Sequence, residues 1–407
     1  MIIISQKRSS LALVAVTFCF LFIYAFPLYA AGGIHKVAAL TPELAPGFKP
    51  DKSNFEAGLW MIMDKAETAI KESPNRVKNE KLEAYLHSII CKLTPDYCSD
   101  IRVYVTRVPY FNASMAPNGM MVIWTGLLLR TENEAQLATI LGHEIGHYLR
   151  RHSMKQFKNA RIMTSFATFI TIGLGFGDSG QYIDLANIVT LGSIFAHSRS
   201  SEEEADRYAI QLIKNAGYDP FEAAKIWKNI IDEEAAATFK KNHGIPFLAT
   251  HPSSKNRLET LTEMAQQMTA GGTETGIIGT EKYQSIVDGL LKQNINDELL
   301  LHQFGRAEYL LNKLLTQNYH VPLIHYYIGE LYRQRNNDGD IGIAKKHYLL
   351  SIESNSPPVD AYRSLGLIEY KAGDFSLAKS NFTKYLELAP HANDREMIEF
   401  YLSSGDQ

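Results

Sequence analysis

Between residues 131 and 149 apolar side chains return every three or four positions, at Leu137, Ile140, Leu141, Ile145, Tyr148 and Leu149. That period marks an amphipathic helix, and Thr131 followed by Glu134 reads as a capping box that opens it. A second stripe, Tyr208, Ala209, Leu212 and Ile213, follows Ser200 and Ser201, two candidate N-caps. Ile101 to Arg107 and Met120 to Trp124 are rich in β-branched and aromatic residues, with Pro109 and Asn118-Gly119 as punctuation, so both read as strands. The two would form a hairpin, and a short sheet with a free edge could accept an extended polypeptide as an added strand; a hairpin that simply packs against the helix at 131–149 is the alternative. The apolar runs Ile162 to Phe176 and Tyr182 to His197 are ambiguous by pattern alone. The first spans 15 residues and ends among Gly173, Gly175, Gly177 and Asp178. A bilayer needs about 20 apolar residues, so both runs read as core helices, with a membrane-surface contact as the alternative.

The C-terminal third repeats itself. Tyr362, Leu365, Gly366, Gly373, Ala378, Phe382 and Pro390 fall at the spacing of a tetratricopeptide unit, and Ile328, Gly329, Tyr332, Ala344 and Tyr348 form the unit before. The offset is three residues above the usual length of about 34, as an insertion at Asn336 to Asp340 would produce. Ala307, Leu311 and Leu314 fit the second helix of a still earlier unit. Stacked helix pairs leave a concave face, and such arrays dock protein partners.

The candidate chemistry sits on the first helix. His143-Glu144-Ile145-Gly146-His147 reads HExxH. Residues i and i+4 share a helix face, so both imidazoles reach one metal ion, and Glu144 lies close enough to act on a water held there. Zinc takes three or four N, O or S ligands. An extended HExxHxxGxxH would supply a third histidine, but Arg150 and Ser153 occupy those positions and His152 is one residue out of register. Glu202 and Asp206 on the second helix stand at i, i+4: one can ligate while the other accepts a hydrogen bond from a ligand histidine. Glu203 and Glu204 read as solvated charges at the positive end of a helix dipole.

HExxH followed by Ser198-Arg199-x-x-Glu202-x-x-Ala205-Asp206 resembles the HtpX/BepA-like zinc metallopeptidases, a glutamate-zincin family. Asn112-Ala113-Ser114-Met115-Ala116-Pro117-Asn118-Gly119 and His251-Pro252-Ser253-Ser254 with Arg257 match two further blocks, so the resemblance covers roughly residues 50 to 270. It implies His143, His147 and Glu202 as ligands of one Zn2+ per chain, Glu144 as general base, and Asp206 as the supporting catalytic carboxylate. His251 and Arg257 are candidates for an oxyanion group, and His251 also for a latch on the open zinc position; a purely structural loop is the alternative. The resemblance further implies quality control of outer-membrane proteins, with the repeats docking the assembly machinery. Two other readings stay open: a non-proteolytic or latent chaperone or adaptor, and a general housekeeping protease.

The N-terminus and the cysteines bear on where the chain works. Residues 1–30 carry Lys7 and Arg8 ahead of an uncharged apolar run ending Leu28-Tyr29-Ala30, the pattern of a cleaved signal peptide; an uncleaved anchor is the alternative. Either sends the body out of the cytosol, and the family resemblance implies the periplasm as its location. Removing those two cations takes the formal charge from −3 to about −5, and a weakly acidic chain gives no reason to expect nucleic acid. Of the three cysteines, Cys91 and Cys98 remain outside the signal and could pair across Thr94-Pro95. The expected fold class is mostly α (α+β): a helical zincin peptidase domain with a small β-sheet over residues 31–270, a linker at 271–284, and an α-helical tetratricopeptide solenoid over 285–395.

Overall fold

A computed structural model describes residues 41–157, 197–237, 247, 248, 251, 255–269, 276–354 and 356–404. The expected signal segment, the apolar runs between 162 and 196 and most of the glycine-rich linker lie outside the described residues. The architecture is mostly helical with one small sheet, in agreement with the sequence reading. No described helix is long and apolar enough to cross a membrane.

Helices α1 (Phe55–Glu72) and α2 (Glu80–Leu93) lead into a short 3-10 turn, Pro95–Asp100, and then the sheet. Cys91 and Cys98 are joined as a disulfide with Cα atoms 4.6 Å apart, which ties the end of α2 to that turn. Strands β1 (Arg102–Thr106), β2 (Ala113–Met115) and β3 (Met120–Trp124) lie in the order β1-β3-β2. β3 pairs parallel with β1, Arg102 opposite Met120 and Thr106 opposite Trp124, and antiparallel with β2, Met115 opposite Met121. This corrects the expected hairpin: β1 and β3 run parallel, and β3 is the central strand, paired on both sides. The outer edge of β1 is capped by Val77 N–H donating to Val105 and Arg107 N–H donating to Asn75, which leaves the three-residue β2 as the outer strand beside the site. The turn into β3 depends on Gly119, at φ +86°, where an added Cβ would lie 2.1 Å from the Asp100 carbonyl oxygen.

Helix α3 (Thr125–Arg130) follows, and then α4 (Glu134–Leu149), which carries HExxH. The cap of α4 is Asn133, whose side chain accepts from Gln136 N–H at 2.8 Å, in place of the expected Thr131. The Thr131 hydroxyl instead meets the Leu127 carbonyl and the Tyr283 hydroxyl. Every residue of α4 is buried, so its polar positions face protein, not solvent. After α5 (His152–Phe157) comes α6 (Arg199–Asn215), capped by Ser198 accepting from Ser201 N–H rather than by Ser200 or Ser201. α4 and α6 approach closely at two glycines of α4. A Cβ on Gly146 would lie 3.1 Å from Ala205 Cα, and one on Gly142 would lie 3.2 Å from Ala209 Cα. The two bare positions thereby bring Glu202 and Asp206 up to the histidines one and two turns away.

Helices α7 (Phe221–Ala235) and α8 (Lys255–Thr269) complete the wall behind the histidines. Within the stretch expected as linker, Ile277 pairs with Tyr218 and the Ile278 carbonyl accepts from Ala135 N–H; α9 (Thr280–Leu299) then starts at once. Helices α10 (Phe304–Thr316), α11 (Val321–Arg335), α12 (Asp340–Ile352), α13 (Val359–Ala372), α14 (Phe375–Leu388) and α15 (Arg395–Ser404) stack in sequence. Gly329 sits against the Tyr348 ring and Gly366 against the Phe382 ring, so the glycines let successive helix pairs close in the same way. The first of these pairs turns through Asn336 and Gly339, both at positive φ, where the sequence places its insertion.

The stack rests on the preceding helices through buried charge. Arg130 donates to Glu233 at 2.9 Å and to Glu298 at 2.7 Å, and Arg306 donates to Glu233 at 3.1 Å, with each side chain at most 3% exposed. Arg107–Asp297 and Lys313–Glu132 add two partly exposed pairs at the same junction.

Candidate metal centre

The helix pair α4/α6 brings three groups to one point, and the segment ahead of α8 adds a fourth. His143, His147, Glu202 and His251 each offer a ligand atom, all of them within 4.8 Å of one another and all buried. His143 Nε2 lies 3.1 Å from His147 Nε2, and Glu202 places one carboxylate oxygen 3.4 Å from each. His251 Nδ1 lies 3.1 Å from Glu202 Oε1 and 3.2 Å from His143 Nε2. All seven residues singled out in the sequence meet here: Glu144 Oε1 faces His251 Nε2 at 3.5 Å, and Arg257 binds Asp206 through Nε and Nη2, both at 2.7 Å.

The hydrogen bonds around the cluster fix which nitrogen of His143 faces it. Asp206 accepts at 3.0 Å from His143 Nδ1, and a carboxylate can only accept, so the proton sits on Nδ1 and Nε2 carries a lone pair. Burial opposes charge on Asp206, but Arg257 outweighs it and holds the carboxyl below the usual range. Burial, and then the neighbouring ring of His197 stacked 3.8 Å away, push His147 well below the ordinary histidine range, so it too is a neutral ligand-type imidazole. Two acceptor nitrogens and a carboxylate converging in a buried space require a positive centre between them. A proton is one: burial opposes it, but Asp206 and Glu202 raise His143 to about 9. A divalent cation displaces that proton and satisfies all the donors at once. Two imidazoles, one carboxylate and a fourth nitrogen are a zinc-type donor set, so the residues present fit such an ion.

Glu144 lies beside the cluster and faces His251. Its Oε1 is buried with no hydrogen-bond partner among the described residues, and burial raises its pKa above the usual carboxylate value. Arg257 is also buried: it lies 3.9 Å over the Trp227 ring, and its Nη1 is 2.9 Å from Glu202 Oε2. Its guanidinium therefore braces the two carboxylates of α6. Phe247 stacks on His251 with ring centroids 4.3 Å apart and sets the orientation of that imidazole.

Two contributors escaped the sequence reading. Glu204, read there as a solvated charge, accepts from His152 Nε2 at 2.9 Å and binds Arg150 at 2.8 Å. His152, out of register for a metal ligand, meets His147 on the side away from the cluster, Nδ1 to Nδ1 at 2.9 Å. The five-residue spacing of two histidines was the available signal. Beside His147 a shallow, water-sized depression is lined by Leu44, Met115, Pro117 and Met154 together with Glu56 and Arg151.

Residues 76–265 match the model of Peptidase family M48. Among similar proteins, the mitochondrial metalloendopeptidase OMA1 of Schizosaccharomyces pombe is 30% identical over 40% of this chain and 47% of its own length. The mitochondrial metalloendopeptidase OMA1 of Bos taurus is 29% identical over 53% of this chain and 42% of its own. The beta-barrel assembly-enhancing protease of Yersinia pestis is 27% identical over 40% of this chain and 34% of its own. The chain thus spans less than half the length of these curated relatives. The match takes in α4, α6 and the Arg257 end of α8, so the residues that build the cluster fall within the stretch that is similar to Peptidase family M48.

Proposed function

We propose that the chain is an exported zinc endopeptidase that hydrolyses peptide bonds of unfolded or misassembled envelope proteins, outer-membrane proteins in particular. The observation that carries the reading is the convergence of His143, His147 and Glu202 beside a buried Glu144 whose Oε1 has no hydrogen-bond partner among the described residues. His143, His147 and Glu202 would hold the ion, with Asp206 and Arg257 fixing His143 and Glu202. Zinc, when bound, supplies Lewis acidity, polarising a carbonyl and making water acidic near neutral pH. Glu144 takes the proton of the attacking water and delivers it to the leaving amine. An extended substrate lies along the outer edge of β2, with main-chain pairing in place of side-chain recognition.

His251 occupies the fourth ligand position and acts as a latch. Its Nδ1 is as close to His143 and Glu202 as those residues are to each other. His251→Ala is then expected to raise the rate of cleavage of unfolded protein; a fall in kcat with unchanged zinc content would assign His251 to the oxyanion instead. The helices after Thr280 dock a protein partner of the outer-membrane assembly machinery, a reading supported by their serial stacking and by the kinship with a beta-barrel assembly-enhancing protease. The N-terminal segment supports a periplasmic location. A latent chaperone or adaptor is the second reading, favoured by the closed state of the cluster. Cleavage of casein by the purified chain, abolished by chelator and restored by zinc, supports the peptidase; binding of unfolded protein without cleavage, even in His251→Ala, supports the adaptor.

A further inference from the structure

His147 uses one ring nitrogen toward the cluster, and the other enters a relay that no part of the proposed chemistry requires. His147 Nδ1 lies 2.9 Å from His152 Nδ1, His152 Nε2 lies 2.9 Å from Glu204 Oε2, and Glu204 Oε1 lies 2.8 Å from Arg150 Nε. Arg150 is itself held by the Thr41 carbonyl at 2.8 Å and by Glu43 at 2.9 Å. We propose that His152 and Glu204 are positioning residues for His147, setting the tautomer that turns its Nε2 lone pair toward the metal position. This rests on the metal centre proposed above.

The direction of the relay follows from its end. The Glu204 carboxylate only accepts, so His152 carries its proton on Nε2 and presents a lone pair at Nδ1. His147 must then donate from Nδ1, which leaves Nε2 free to ligate. The reverse order would put a proton on His147 Nε2, where it would point at His143 Nε2 and Glu202. His143 reaches the same tautomer through a carboxylate directly, whereas His147 reaches it through an interposed imidazole.

The backbone is built to deliver this contact. Residues five apart on one continuous helix lie about 140° round from each other and cannot meet ring to ring. The chain leaves α4 at Arg150, and Arg151 adopts φ 54°, a left-handed conformation that costs a non-glycine residue energy. That single turn swings His152, 3% exposed, back over His147. Glu204 points from α6 to α5, two positions from Glu202 and Asp206, which point to α4.

The test is zinc affinity by competition with a chromophoric chelator, on the full chain, with a urea unfolding curve for each variant. His152→Leu is expected to bind zinc about 10–100-fold more weakly than wild type, the loss typical when a metal-ligating histidine is deprived of its partner. His152→Asn, whose side-chain carbonyl can accept from His147 Nδ1, is expected to recover most of that affinity. Glu204→Ala, which keeps His152 and removes its anchor, should fall between wild type and His152→Leu, and it replaces the Leu variant if that variant does not fold. Wild-type affinity in folded His152→Leu or Glu204→Ala, or equal losses in the Leu and Asn variants, would overturn the assignment. Absence of zinc binding by the wild type would instead overturn the metal centre itself.

Discussion

Glu144→Gln is expected to retain one zinc per chain and to lose about 10²–10⁴-fold in kcat for casein, with little change in KM. Glutamine keeps the shape and the buried packing of the side chain but cannot take a proton. The Glu144 carboxylate is suited to the task because it is buried, lacks a hydrogen-bond partner at Oε1 among the described residues and has its pKa raised by that burial. The ring nitrogen that faces it, His251 Nε2, stands 3.5 Å off, too far for a good hydrogen bond. Stopped assays with the purified variant, alongside metal quantification, read both quantities. Cleavage within a factor of a few of wild type would remove Glu144 from the role of base. Loss of zinc together with activity would recast it as a structural member of the cluster.

Glu233→Ala is expected to destabilise the chain by about 3–5 kcal/mol, because it leaves buried positive charge without its counterion. Glu233 lies between Arg130 and Arg306, and among the described residues the one other acid on that pair of guanidiniums is Glu298, which binds Arg130. Arg130 also donates to the carbonyls of Pro109 and Gly126, so the network anchors the segment between β1 and α3 as well as the helices after Thr280. A urea midpoint shift, read by both tryptophan fluorescence and circular dichroism, measures the loss. A shift below about 1 kcal/mol, the range of an exposed pair, would show that the junction is hydrated in solution.

The parts of this site visible in the sequence are those set by spacing along one helix. His143 and His147 are one turn apart, as are Glu202 and Asp206, so spacing alone puts each pair on one helix face. The helix caps were less legible. Thr131, Asn133, Ser198, Ser200 and Ser201 all have cap-forming side chains, and the choice among them fell to neighbours remote in sequence, such as Tyr283 on Thr131. The strand pairing was illegible for the same reason. β2 is three residues, Ala113–Met115, without a β-branched side chain, yet it pairs antiparallel with β3 and leaves β1 and β3 parallel where a hairpin was expected. Glu203 and Glu204 look alike in a run of three glutamates, and only the return of α5 after Arg151 distinguishes them: Glu203 is exposed, while Glu204 binds His152. Arg257 was placed in the site by resemblance, but its bracing of Asp206 and Glu202 depends on how α8 packs against α6.

The central claim is that His143, His147 and Glu202 form a zinc site, and metal quantification on chain purified without added metal tests it most directly. Wild type should carry one zinc per chain. Glu202→Ala, which removes the one carboxylate among the described residues within reach of both ring nitrogens, should carry well under one-tenth while keeping its helical circular dichroism. Wild type without zinc after reconstitution, or full zinc in Glu202→Ala, would contradict the account.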